Sequence, residues 1–199
     1  GDVYKRQVYF QLCAAQPPEY EFPFPKQPIA TLRDNFREAV VEICEHAQQR
    51  GITILFEPLT PYEAYPGVLT TIDEALQFIE DLEFDNLGLQ PDIYHMNVSE
   101  ASICDALRAA GRHIQVVHTN ETNHRQLGTG HADYSAIMRT LKEIEFDGWL
   151  STYLPLQSQD VAGLATGYGW STGSMDASTV TRPPLRPVLE EQLQFLKEK

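Results

Sequence analysis

Cysteine is scarce in this sequence: Cys13, Cys44 and Cys104 are the only three in 199 residues, they lie far apart, and they form no CxxC pair. Neither a disulfide framework nor a zinc knuckle is therefore expected, and a reducing cytoplasm is the natural setting. Basic residues are also few. Lys and Arg number 15 against 28 Asp and Glu, giving a formal net charge of −13, and no basic run occurs. Binding to phosphate backbones needs clustered cations, so the balance argues against nucleic acid as a partner. The acidity reads as ordinary solvated helix faces. No apolar run approaches the ~18 residues of a membrane span and no signal-peptide pattern opens the chain, so no membrane partner is expected.

What is present is a hydrophobic fraction of 42%, enough for one domain with a proper core. The opening heptapeptide Gly1-Asp2-Val3-Tyr4-Lys5-Arg6-Gln7 resembles the translation of a transposon-end adapter used in preparing sequencing libraries. Residues 1–7 are accordingly set apart as a non-native segment, and the domain is expected over 8–199.

Along the chain, VYFQLC (8–13) has β character with no helical period. Residues 14–28 hold too many prolines for a helix. Thr31 is expected to cap a helix over 32–49, whose apolar positions Phe36, Val40, Ile43, Cys44 and Ala47 recur at spacings of three and four before Gly51 stops it. ITILF (52–56) is the continuous apolar, β-branched run of a strand covered on both faces. Thr71 then precedes a helix over 72–82, and a strand begins at Leu87–Leu89. Ser99 is expected to cap a helix reaching Ala110, followed by a strand over 114–117, a helix over 134–144, a strand over 148–153 and a closing helix over 185–199. Strands recur at roughly thirty-residue steps, the size of one βα unit. That implies a parallel sheet, either open and doubly wound or closed as a barrel. Two long loops, 58–70 and 154–182, interrupt the alternation, and loops of that length are usually functional or disordered.

The chemistry is read from the strand ends. Glu57 follows ITILF, Asp92 follows LGLQP and His118 follows IQVV. In a parallel β/α array these C-terminal ends share one rim, where active sites are built. Two carboxylates and one imidazole suit Mn²⁺, Mg²⁺ or Co²⁺, and Zn²⁺ as well.

The segments Glu57-Pro58-Leu59-Thr60-Pro61-Tyr62-Glu63, Asp92-Ile93-Tyr94-His95-Met96-Asn97, His118-Thr119-Asn120-Glu121 and Gly128-Thr129-Gly130-His131, in that order, resemble the xylose-isomerase-like TIM-barrel family of sugar-phosphate isomerases and epimerases, including the ketose 3-epimerases. The resemblance spans about 52–153 and implies a TIM (β/α)8 barrel, α/β in class. Glu57 would end strand five and 8–13 would be strand four, so the chain would hold strands four to eight, a partial barrel. A complete barrel needs roughly 250 residues, which agrees with that placement. An open barrel exposes strand edges, so aggregation is expected.

By the same resemblance Glu57, Asp92 and His118 are metal ligands, with Glu57 doubling as an acid/base on one substrate face. Glu63 and His95 hydrogen-bond substrate oxygens or orient a ligand. His124 or Arg125 holds a distal hydroxyl or phosphate; the family often has Arg where His124 stands. His131 is explained by the Gly128–Gly130 turn alone. The implied partner is a small-molecule sugar or sugar phosphate, with a homodimer or homotetramer as the family assembly. The implied reaction is proton transfer beside a carbonyl through a metal-stabilised enediolate. One departure stands out. The family's fourth ligand, a Glu ending strand eight, corresponds by register to Tyr153, and a phenol with an ordinary pKa near ~10 is a poor ligand or base. Water or Gln157 completes the metal sphere, Tyr153 serves as a proton donor in a changed reaction, or catalysis is lost. Dehydration of a polyol-like ketone and non-catalytic sugar binding are the alternatives that follow.

Overall fold

A computed structural model of the chain describes residues 9–12, 28–61, 67–123, 126–152 and 185–199, with the backbone alone for 9–12 and 185. Strands and helices alternate in the order β1 (Tyr9–Leu12), α1 (Ile29–Gln48), β2 (Thr53–Phe56), α2 (Ile72–Leu82), β3 (Leu87–Leu89), α3 (Ile93–Ser99), α4 (Ile103–Ala110), β4 (Val116–His118), α5 (Tyr134–Glu143), β5 (Trp149–Ser151) and α6 (Leu185–Lys197). β1, β2 and β3 pair in parallel, with Leu12 opposite Phe56 and Phe56 opposite Leu89. β4 and β5 pair in parallel, with His118 opposite Ser151. Single parallel bridges, Leu89 to Ile114 and Asp92 to His118, join the two groups. Neighbours in this array are neighbours in sequence. A doubly wound sheet reverses its order at a switch point, whereas a barrel wall does not. The order here is that of a barrel wall.

The core follows from the apolar runs. Ile54, Leu55 and Phe56 are all buried, as a strand covered on both faces requires. α1 turns Val40, Cys44 and Ala47 inward, with Phe36 and Ile43 partly buried beside them. Phe36, Phe56 and Phe78 pack at centroid distances of 5.9, 5.4 and 5.5 Å and tie α1, β2 and α2 together. Such pairs contribute about 0.5–1.5 kcal/mol each beyond area burial.

α2 begins as the sequence predicts. Thr71 Oγ1 accepts the Glu74 N–H at 3.2 Å, while Glu74 accepts the Thr70 N–H at 2.8 Å, a variant of the capping box. Arg33 of α1 donates to Glu74 at 2.6 Å and to the Val68 carbonyl at 3.0 Å, so the end of the loop after β2 is anchored to a neighbouring helix.

Two expected caps are corrected. α1 starts at Ile29, with Pro28 in the cap position and no side-chain cap, and Thr31 lies inside the first turn. The fixed φ of proline pre-sets a helix start, and the Leu32 N–H reaches the Pro28 carbonyl at 3.1 Å. Ser99 ends α3 rather than opening a helix. Ser102 caps α4, its hydroxyl accepting the Asp105 N–H at 3.3 Å, and Asp92 caps α3. The buried Ser99 hydroxyl has no hydrogen-bond partner among the described residues. No described helix is long and apolar enough to cross a membrane.

Candidate functional site

The three strand-end residues meet. Glu57 directly follows β2, Asp92 follows β3 after Gln90 and Pro91, and His118 ends β4. The bridge between Asp92 and His118 sets those two side by side, and the Gln90 N–H bonded to the Phe56 carbonyl at 2.8 Å brings the end of β2 alongside. His118 Nδ1 lies 2.8 Å from Glu57 Oε1 and 3.5 Å from Asp92 Oδ2. Glu57 is 6% exposed and Asp92 2%. Burial alone would push the His118 imidazole down, but the hydrogen bonds and charges of Asp92 and Glu57 outweigh it and push it up to about 9. Two buried carboxylates facing one imidazole concentrate negative charge at this point of the rim.

The donor set suits a cation. Two ligands ~2.1 Å from one metal and at right angles are ~3.0 Å from each other, and the spacings at His118 bracket that value. Two carboxylate oxygens and an imidazole nitrogen are hard to borderline donors, matched to Mn²⁺, Mg²⁺, Co²⁺ or Zn²⁺. Among the described residues, the trio whose ligand atoms all lie within 4.8 Å of one another is Glu57, Asp92 and His95, the last brought in by α3, and His118 stands beside it in contact with both carboxylates. The two histidines differ in what they can offer. His95 Nδ1 accepts the Thr60 N–H at 3.2 Å, which leaves the ring proton on Nε2 as a donor. His118 turns Nδ1 to both carboxylates.

Four further polar residues, individually overlooked in the sequence, build the surroundings. Gln90, 5% exposed, has its amide 2.9 Å from His118 Nε2. An amide presents a donor or an acceptor according to its orientation, so Gln90 serves either protonation state of that nitrogen. Asn120 Nδ2 donates to Asp92 Oδ2 at 2.5 Å, and the Tyr134 hydroxyl donates to the Asn120 carbonyl at 2.6 Å. Burial, with the charges of Glu121 and Asp92, pushes the Tyr134 phenol far up, so it remains a donor. Glu121, 1% exposed, accepts N–H groups from Gly128 at 2.8 Å and Thr122 at 3.1 Å. Gly128 sits at φ +82, and a Cβ at Gly130 would strike the Glu121 carboxylate and the Thr122 hydroxyl, so both glycines are required by this turn. The available signal was position: Gln90 lies just before, and Asn120 and Glu121 just after, a residue assigned to the site.

His131 is exposed, and its backbone N–H binds the Thr122 hydroxyl at 2.9 Å. Glu63, His124, Arg125, Tyr153 and Gln157 lie outside the described residues, as do both expected proline-rich and Gly/Ser-rich stretches, 14–27 and 154–182.

Comparison with known proteins bears on this rim. The sequence model described as xylose isomerase-like TIM barrel matches residues 8–197. A ketose 3-epimerase of Arthrobacter globiformis is 32% identical over 114 residues, 57% of this chain and 39% of that protein. A hydroxypyruvate isomerase of Escherichia coli is 28% identical over 136 residues, 68% of this chain and 51% of that protein. The crystal structure of D-psicose 3-epimerase with D-tagatose from Clostridium cellulolyticum superposes with a TM-score of 0.71 at 24% identity, covering 87% of this chain and 58% of that one. The matched region is thus about two fifths to three fifths of these proteins' own lengths.

Proposed function

Because the chain belongs to the xylose isomerase-like TIM-barrel family, we propose that it serves a metal-dependent sugar isomerase or epimerase that moves a proton beside the carbonyl of a ketose or ketose phosphate. The observation that carries this reading is His118 Nδ1 set against both Glu57 and Asp92 at the rim. Kinship with proteins named ketose 3-epimerase and hydroxypyruvate isomerase supports the substrate class.

In this reading Glu57, Asp92 and His118 hold one divalent cation. When bound, the cation polarises the substrate carbonyl and an adjacent hydroxyl oxygen, making the intervening C–H more acidic. Glu57, whose carboxylate also contacts His118, takes that proton and delivers it to the neighbouring carbon. His95, its proton on Nε2, donates to a substrate oxygen. Glu63 assists it there, and His124 or Arg125 holds the distal hydroxyl or phosphate. Glu57 and Asp92 are both buried, which strengthens their electrostatic interactions.

Tyr153 gives a second reading within the same class. Epimerisation needs a base on each face of the substrate, and by the family resemblance Tyr153 stands in sequence where the opposite carboxylate is expected. One-face isomerisation by Glu57 alone then replaces epimerisation, and a relative named as an isomerase supports it.

Deuterium wash-in tests the proposal. With Mn²⁺ in D₂O, a ketose incubated with the protein should gain deuterium on a carbon beside the carbonyl, read by NMR, and Asp92→Asn should abolish the gain. A panel of ketoses and ketose phosphates whose C–H positions all stay intact contradicts it.

A further inference from the structure

We infer that Asn120 is a positioning residue for the cation site: it clamps Asp92 so that one carboxylate oxygen, Oδ2, is offered to the ion. The inference rests on the metal-site reading above. Each Asp92 oxygen has its own fixed donor. Oδ1 accepts the Tyr94 N–H at 2.8 Å, the contact that starts α3, and Oδ2 accepts Asn120 Nδ2 at 2.5 Å. Oδ1 is thereby committed to the helix, and Oδ2 is the oxygen facing His118 Nδ1 at 3.5 Å. The carboxylate plane cannot turn without losing one contact or both.

Asn120 is itself held. It is 3% exposed, and its carbonyl accepts the hydroxyl of Tyr134, a 1% exposed residue at the start of α5. Its neighbours are tied in other directions. The Thr119 N–H donates to the Ser151 carbonyl at 2.9 Å, linking β4 to β5, and Glu121 grips the turn at Gly128 at 2.8 Å. Three consecutive residues after His118 therefore reach three different parts of the rim. The one that reaches the cation site comes from α5 through Tyr134 and Asn120 to Asp92. Hydrogen bonds of this kind orient a ligand before the ion arrives, and their loss commonly lowers metal affinity 10–100-fold.

Mn²⁺ titrations of the 199-residue chain by electron paramagnetic resonance test the inference. Asn120→Ala should weaken Mn²⁺ binding about tenfold or more. Asn120→Asp, the same shape with an acceptor in place of the donor, should weaken it further, because it sets a second charge against Asp92 Oδ2. Tyr134→Phe, which acts two contacts away, should weaken it a few fold and gives the reading if an Asn120 variant fails to fold. Circular dichroism melts without metal separate a loss of fold from a loss of affinity. Folded variants that bind within twofold of the parent, or an Asn120→Asp that binds more tightly, overturn the inference while the metal site stands. A parent chain that takes up no Mn²⁺ brings down both.

Discussion

His118 Nδ1 and Glu57 Oε1 lie 2.8 Å apart although the residues are 61 positions apart in sequence. The contact exists because both residues close parallel strands at the same rim, and it couples an imidazole to buried negative charge. The His118 imidazole is raised from 6.5 to about 9. A raised folded value favours the protonated form in the folded state. Its contribution to stability is complete below about pH 6.5 and is lost as pH rises through about 9. In the presence of chelator the melting temperature should therefore fall across that window, and His118→Gln should flatten the dependence. Calorimetry from pH 6 to 10 checks it.

The same proton competes with metal. Below about pH 9 each Mn²⁺ bound at His118 displaces one proton, so affinity should rise about tenfold per pH unit and level off above it. Isothermal titration in two buffers of different ionisation heat measures the released proton directly. An affinity that stays flat between pH 6 and 8 would mean that His118 is not a ligand.

Asp92 has a structural duty as the cap of α3 and a proposed duty toward the cation. The two are separable, because Asn caps a helix about as well as Asp. Asp92→Asn keeps one oxygen to cap α3 but puts an NH₂ where Asn120 donates, so it should cost about 1–2 kcal/mol of stability while weakening Mn²⁺ binding by tenfold or more. Asp92→Ala should also cost about 1 kcal/mol of stability. Denaturation in urea and metal titration read the two effects apart.

The anchoring of the loop before α2 is expected to matter at low pH. Burial would push the Glu74 carboxyl up, but hydrogen bonds from Thr70 and Arg33 and the Arg33 charge outweigh it and lower its pKa. A lowered folded value gives stability that is present above the ordinary carboxylate range and lost as pH falls through it. Thr71→Ala should cost about 1 kcal/mol at neutral pH. The Arg33–Glu74 pair is 43% and 34% exposed at its two side chains, so solvent screening keeps its share to at most about 1 kcal/mol. The stability difference between Glu74→Gln and the parent should shrink from pH 7 to pH 3.5.

β5 bears Trp149 at 67% exposure and Leu150 at 36%. Successive strand residues face opposite sides, so both faces of this strand present apolar surface. Concentration-dependent association should appear in sedimentation velocity, and Trp149→Glu should reduce it.

Much of this arrangement was legible in the sequence for a physical reason. Ile54–Phe56 is an unbroken apolar run, Leu87 and Leu89 flank a glycine, and Thr71-Ile72-Asp73-Glu74 carries its own start signal, so strand ends could be counted and Glu57, Asp92 and His118 placed on one rim. Thr31 and Ser99 misled because a cap is defined by backbone conformation, which the residue type alone does not determine. α3 escaped notice because seven residues make less than two full turns of apolar period. Gln90, Asn120 and Tyr134 were missed for another reason. Their importance lies in buried hydrogen bonds between elements, with Asn120 and Asp92 separated by 28 positions, and no local spacing encodes such a contact.

The central claim is that Glu57, Asp92 and His118 grip one divalent cation. Its most direct test is a Mn²⁺ titration followed by electron paramagnetic resonance, run on the chain and on Glu57→Gln, Asp92→Asn and His118→Gln. One bound ion per chain, with affinity falling at least tenfold in each variant, is the expected result. Stoichiometric binding that all three substitutions leave unchanged would place the ion elsewhere and contradict the claim.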